Sequence, residues 1–317
     1  MNKKGFLFTA LAVIFVLVII TIASTQDLQY PRAVSEAQRI QSMEHYLVNL
    51  EGDLPRAAYI AGFRSLIATE EHVSTTGVYL TSFDDTFKEV FENGTINGTP
   101  YGIMNQSTFS DFTARFISLA SQQGMVANLS LVSVTAYQTD PWDVQLDMVI
   151  NATLSDTGRT ASFSRLLSFR TAVPIEGIKD PVYAVGTQGR AAHTITQSNL
   201  TRPYITATND TTLLQLLVNQ TLYVASPRAP DFIDRFMGNF TPSPNGIMSL
   251  VNIKELEAQG FSPDHCKSVV DFLYFGNSPT PVNSFIVNMD QITFWLNSTH
   301  FPDYDAAGKN VGVRSCP

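Results

Sequence analysis

Trp142-Asp143-Val144-Gln145-Leu146-Asp147-Met148-Val149-Ile150-Asn151-Ala152-Thr153-Leu154 carries the pattern that decides the fold. Val144, Leu146, Met148 and Ile150 fall on one parity, and Asp143, Gln145 and Asp147 on the other. Successive side chains of an extended chain point to opposite faces, so the run predicts a half-buried strand. Its neighbours, Val126–Tyr137 and Thr160–Pro174, alternate Val, Leu, Ile, Phe and Thr in the same manner. Asp140-Pro141 and Ser155-Asp156-Thr157-Gly158 punctuate the three runs as turns. The expectation is an antiparallel meander with one wet face.

Upstream the period changes from two to three or four. Val34, Ala37, Ile40, Met43, Leu47 and Leu50 predict a helix over 28–50, and Leu54, Ala58, Ala61, Leu66 and Ile67 a second over 54–72. Gly52-Asp53-Leu54-Pro55 reads as a break or kink between them, with Asp53 as a cap. Residues 76–107 read as turn-rich, with tight turns at Asn93-Gly94 and Asn97-Gly98. A helix over 108–124 turns Phe109, Phe112, Phe116, Ile117 and Leu119 inward. Beyond the meander, short helices are expected at Pro230–Phe236 and Val251–Gln259, and strands at 268–275 and 282–296. Helices first and then strands mixed with short helices give an α+β class. The expected organisation is a transmembrane or signal segment (1–25), a long helical stem (26–75), and an extracellular, antiparallel β-rich head with short helices (76–317).

Phe6 to Ala23 is apolar apart from Thr9 and Thr21, and no charge stands between Lys4 and Asp27. Eighteen residues at about 1.5 Å each reach about 27 Å, close to the roughly 30 Å of a bilayer core. Lys3 and Lys4 predict a cytoplasmic N-terminus, which places everything after Thr25 outside. Three fates stay open. The segment is retained as an anchor, is cleaved as a secretory signal near Ala23-Ser24-Thr25-Gln26, or is processed after Gly5 as in type IV prepilins.

The whole chain of 317 residues has 15% charged residues and a formal charge of -8. An acidic chain lacks the basic face that neutralises phosphates, so nucleic acid is not an expected partner. Asn-x-Ser/Thr triplets begin at Asn93, Asn97, Asn105, Asn128, Asn151, Asn199, Asn209, Asn219, Asn239 and Asn297. With 18 asparagines and a Ser plus Thr content of about 18%, chance gives roughly three on the motif's definition. Ten predict N-glycosylation, and sugars would also solvate a surface thin in charge. Cys266 and Cys316 are the only cysteines. In an oxidising compartment they predict one disulfide, whose loop of about 50 residues is worth roughly 4 kcal/mol in the chain-entropy model.

Catalytic signatures are missing. There is no His-Glu-x-x-His, Gly-x-Ser-x-Gly, Gly-x-x-x-x-Gly-Lys or Gly-x-Gly-x-x-Gly. His45, His72, His193, His265 and His300 form no pair at metal-ligand spacing. Asp84-Asp85 and Asp303-Tyr304-Asp305 are acidic clusters; the second, with Gly308 nearby, reads as a solvated loop, a calcium site being the alternative, and the phenylalanine-rich aromatics read as core. No catalytic, cofactor or metal residue is assigned.

Several stretches carry a resemblance. Lys3-Lys4-Gly5-Phe6-Leu7-Phe8, Asp53-Leu54-Pro55-Arg56-Ala57-Ala58-Tyr59-Ile60-Ala61-Gly62-Phe63-Arg64 and Ile175-Glu176-Gly177-Ile178-Lys179-Asp180-Pro181-Val182-Tyr183 are three of them. Gly246-Ile247-Met248-Ser249-Leu250-Val251 and Ser268-Val269-Val270-Asp271-Phe272-Leu273-Tyr274-Phe275 are two more. Together they resemble uncharacterised archaeal membrane-anchored, pilin-like cell-surface proteins. The resemblance implies an envelope protein without an established activity. The expected function is that of a single-pass cell-surface glycoprotein with a structural or interaction role. Its partners would be the membrane, through Phe6–Ala23, and a homo-oligomer or filament. An extracellular ligand-binding or adhesin ectodomain, or a secreted hydrolase, are the alternatives.

Overall fold

The computed structural model describes residues 3–158, 161–206, 210–276, 284–289 and 292–304, with side-chain surroundings for 14–21, 37–158, 161–206, 210–276 and 295–304. The chain is α+β. A single helix, α1, runs Lys3–Thr76. Helix α2 (Phe83–Asn93) leads into a hairpin of β1 (Thr95–Ile96) and β2 (Thr99–Pro100), then a 3-10 turn at Gly102–Met104 and helix α3 (Phe109–Gln122). Strands β3 (Met125–Asp140), β4 (Asp143–Asp156) and β5 (Ser162–Pro174) follow as a meander with β4 in the centre. The remainder is short helices α4 (Pro181–Gly186), α5 (Thr212–Asn219), α6 (Phe232–Phe236), α7 (Ile253–Ala258), α8 (Asp271–Phe275) and α9 (Phe301–Tyr304). Between them lie two antiparallel pairs, β6 (Val224–Ala225) with β7 (Ile247–Met248) and β8 (Ser284–Met289) with β9 (Ile292–Asn297). The chain divides into two compact units, each built from several segments.

The first unit comprises Met1–Leu54, Ala114–Ser130 and Asn151–Leu167. Met43, Leu47, Leu50 and Leu54 make a buried stripe at helical spacing on α1. Phe116 and Ala120 of α3, with the inward parity of β3 and β4 and Leu167 of β5, are the other buried side chains of this unit. The Tyr46 ring lies 4.9 Å from that of Phe116, and its hydroxyl donates to the Phe116 carbonyl at 2.7 Å. Arg39 donates to Asp156 at 3.1 Å, and Arg165 pairs with Glu51.

The second unit comprises Pro55–Thr113, Leu131–Ile150 and Ser168–Pro317. Here α1 is buried on several sides, through Ala58, Ala61, Ser65, Leu66, Thr69 and Val73. Gly62 permits close approach to the sheet: a Cβ there would stand 2.2 Å from Leu146 Cδ1. Phe83, Phe87, Phe91 and Phe109 stack successively at centroid distances of 5.6, 6.0 and 6.2 Å. This is the phenylalanine core that the composition predicts. Ser82 caps α2 by accepting from the Asp85 N–H, and Gly94 ends it in a left-handed conformation (φ 73°). Asn97 (φ 50°) and Gly98 (φ 76°) form the two-residue hairpin turn. The Glu89 carboxylate accepts from both their N–H groups, at 3.1 and 3.0 Å, and from the Thr95 hydroxyl at 2.7 Å.

The central strand of the meander, β4, matches the alternation throughout. Val144, Leu146, Met148 and Ile150 are all at most 1% exposed, and Asp143, Gln145 and Asp147 are half-buried on the other face. Other expectations are corrected. There is no break at Gly52–Pro55, because α1 continues through it. A proline inside a helix costs about 3 kcal/mol, and burying Leu47, Leu50 and Leu54 at about 1.5–3 kcal/mol each outweighs that. Ile40, Ile117 and Leu119 are exposed, by 44%, 37% and 53%, and Ala120 is buried in place of the last two. The turn-rich reading of 76–107 missed α2, although Phe83, Phe87, Val90 and Phe91 recur at helical spacing. Residues 268–275 hold the helix α8 instead of a strand. A short apolar run does not distinguish the two by period. Asp303 is buried, 3% exposed, not solvated.

Candidate functional site

Among the described residues, Ile14 to Ile20 is the longest run of consecutive exposed apolar side chains. All seven side chains show 47–66% of their surface. Consecutive helical positions step by about 100°, so seven of them cover the full circumference. A helix apolar all round has no solvent face to offer. Thr21 does not spoil this, since its hydroxyl donates back to the carbonyls of Leu17 (2.8 Å) and Val18 (2.9 Å). Among the described residues no helix is long and apolar enough to cross a membrane. The eight described side chains of this stretch span about 12 Å of helix.

The sequons are at the surface. Asn93, Asn97, Asn105, Asn128, Asn199, Asn219 and Asn239 are exposed, and Asn151 and Asn297 are half-buried. Asn209 lies outside the described residues. Of the two cysteines, Cys316 also lies outside them. Among the described residues no cysteine is free, and the Cys266 N–H donates to Asp264 Oδ1 at 2.9 Å.

Sequence reasoning missed a buried charge cluster in the second unit. Asp180, the N-cap of α4, Arg235 of α6 and Asp271 of α8 are each 0% exposed. Arg235 grips Asp180 with two nitrogens, Nε at 3.0 Å and Nη2, while Nη2 also donates to Asp271 Oδ2 at 2.6 Å and Nη1 to the Ile247 carbonyl at 3.0 Å. Tyr223 donates its hydroxyl to Asp180 at 2.7 Å, and Ser249 donates both N–H and hydroxyl to Asp271 at 2.9 Å. Burial pushes the Asp271 carboxyl above the usual carboxylate range, against the pull of Arg235. Burial also pushes Tyr79 up to about 12 and holds Tyr183 and Tyr223 well above the ordinary phenol value, so all three phenols remain neutral. One cation serving two buried carboxylates ties three helices together. With all three side chains closed to solvent, it is a structural clasp and not a place for a substrate. The legible signal was Asp271 itself, a charge inside Val269-Val270-Asp271-Phe272-Leu273.

A second cluster holds Ser226, Arg228, His300 and Asp303. Ser226 Oγ and Arg228 Nη1 donate to the Asp303 carboxylate at 3.1 and 2.7 Å. His300 Nε2 lies 3.3 Å from the Arg228 carbonyl, and burial lowers its pKa. The serine hydroxyl addresses the carboxylate and not the imidazole, so no nucleophile–base relay is assembled here. His265 pairs instead with Glu257 at 3.4 Å, both side chains half-exposed. Among the described residues no group of three or more His, Cys, Asp or Glu could hold a metal ion. No protein-family model, curated protein or solved structure matches this chain.

Proposed function

We propose that this chain is a single-pass, pilin-like cell-surface glycoprotein of an archaeal envelope, with a structural or interaction role. The supporting observation is the apolar belt of Ile14–Ile20, exposed on every side. Such a belt is stable only when lipid or another copy of itself covers it. Within the longer run Phe6–Ala23 it serves as the anchor, and Lys3 and Lys4 keep the N-terminus on the cytoplasmic side. The same surface, packed against copies, would build a homo-oligomer or filament.

The remainder of the chain then stands outside the cell. Surface placement of nine sequon asparagines suits N-linked sugars there, and an oxidising space suits a Cys266–Cys316 disulfide that ties down the end of the chain. N-terminal sequencing of the mature protein from washed membranes tests the reading. A start at Met1 or Asn2 means a retained anchor, and Phe6 means pilin-type processing. A start near Gln26, with the protein in the medium, removes the anchor.

A further inference from the structure

In the first unit the meander has two faces of opposite character. The inward parity is buried on β3 and β4 and at Leu167 of β5, and its ion pairs, Arg39 with Asp156 and the exposed Arg165 with Glu51, run to α1. The outward parity comprises nine positions among 125–130, 151–156 and 162–167. They include Val126, Asn128 and Ser130 on β3, Asn151 and Thr153 on β4, and Leu166 on β5, and the other three are serine. None of the nine is ionisable. Val126 and Leu166 are 58% and 66% exposed. A solvent-facing sheet with β3 and β5 as open edges normally carries lysine or glutamate against edge-to-edge association. These nine positions carry neither, which leaves this stretch of the face to be covered by something else.

What it carries is two sequons. Residues i and i+2 of a strand share a face, so Asn128 with Ser130, and Asn151 with Thr153, point the same way. The Thr157 N–H donates to the Gly124 carbonyl at 3.2 Å, and the Ser155 hydroxyl to the Val126 carbonyl at 3.5 Å. Counting inward from these bonds sets Thr153 across from Asn128, and Asn151 across from Ser130. The two motifs therefore interlock as one tile, with the asparagines on its diagonal about 7–8 Å apart.

We propose that this outward face is a carbohydrate-bearing face, closed to protein partners by N-linked sugars on both Asn128 and Asn151. The inference rests on the glycoprotein reading above and goes further, because it assigns the sugars a covering task on an uncharged stretch of the sheet. Copies of the chain are thereby left to associate through the apolar belt.

Intact-glycopeptide mass spectrometry on the full chain from native membranes is the first test. Sugar on both residues is expected, and either asparagine bare in the mature protein overturns the paired face. If the other sequons are modified, the glycoprotein reading survives that result, whereas ten bare sequons remove both. The second test is cross-linking of the full chain in detergent. N128Q/N151Q and S130A/T153A, which lose the acceptors in different ways, should both shift toward sheet-linked multimers. N128K/N151E, which supplies charge in place of sugar, should not. Multimer yields equal to wild type in both acceptor-less variants overturn the covering role.

Discussion

Replacing Arg235 with methionine tests the clasp most sharply. The guanidinium is fully buried and is the cation shared by Asp180 and Asp271, which are themselves fully buried. Methionine fills similar volume, so the loss is electrostatic more than steric. Removing one partner of a buried ion pair costs about 3–5 kcal/mol, because the uncompensated charge stays in the core. Two carboxylates are stranded here, so R235M should fall at the upper end. Adding D271N removes one stranded charge while keeping the acceptor for the Ser249 donors, and should recover part of the loss. Urea unfolding of the full chain in detergent, followed by near-UV circular dichroism, measures both. A loss below about 1 kcal/mol in R235M, or no recovery in R235M/D271N, would refute the reasoning.

Asp271 also sets a pH dependence. Its folded carboxyl is held above the ordinary value by burial, so its contribution is full below the unfolded value of about 3.9 and is lost as pH rises through the folded one. D271N should flatten that decline in unfolding curves taken across the window. Glu89 has the opposite sign. The N–H of Gly98 foremost, with the Thr95 hydroxyl and the Asn97 N–H, lowers its carboxyl, so its support is present above the usual value and lost as pH falls. E89A should speed hydrogen exchange at Asn97 and Gly98 and remove the acid sensitivity of that exchange. At Gly246 a Cβ would meet the Ala229 carbonyl oxygen at 2.0 Å and that of Ser226 at 2.5 Å. G246A should therefore lower stability by about 1–3 kcal/mol in the same urea assay. L17R puts a charge in the middle of the belt at about 2.5–3.5 kcal/mol on insertion scales, and should increase the fraction extracted from membranes by alkaline carbonate.

How much the sequence disclosed depended on whether the information was local. Asp143 to Ile150 alternate because β4 has one buried and one half-buried face, and the strand was plain. Asn97-Gly98 named its own turn, since both residues adopt positive φ there. Asp53-Leu54-Pro55 misled, because local propensity favours a stop while burial of Leu50 and Leu54 carries the helix through. Val269-Val270-Asp271-Phe272-Leu273 misled in the other direction, since apolar runs this short fit either element. The clasp was out of reach, for Asp180, Arg235 and Asp271 are joined only by tertiary structure. The sequons were legible as motifs, but their shared face on β3 and β4 needed the strand register.

The central claim is that the apolar belt holds the protein in a membrane with residues beyond Thr25 outside the cell. Protease shaving of intact cells, with mass spectrometry of the released peptides, tests it most directly. The account predicts sugar-bearing peptides from the meander and from the segments after it, while the stretch containing Ile14–Ile20 stays with the cell. Release of those peptides only after lysis, or the intact chain in the soluble fraction, would contradict it.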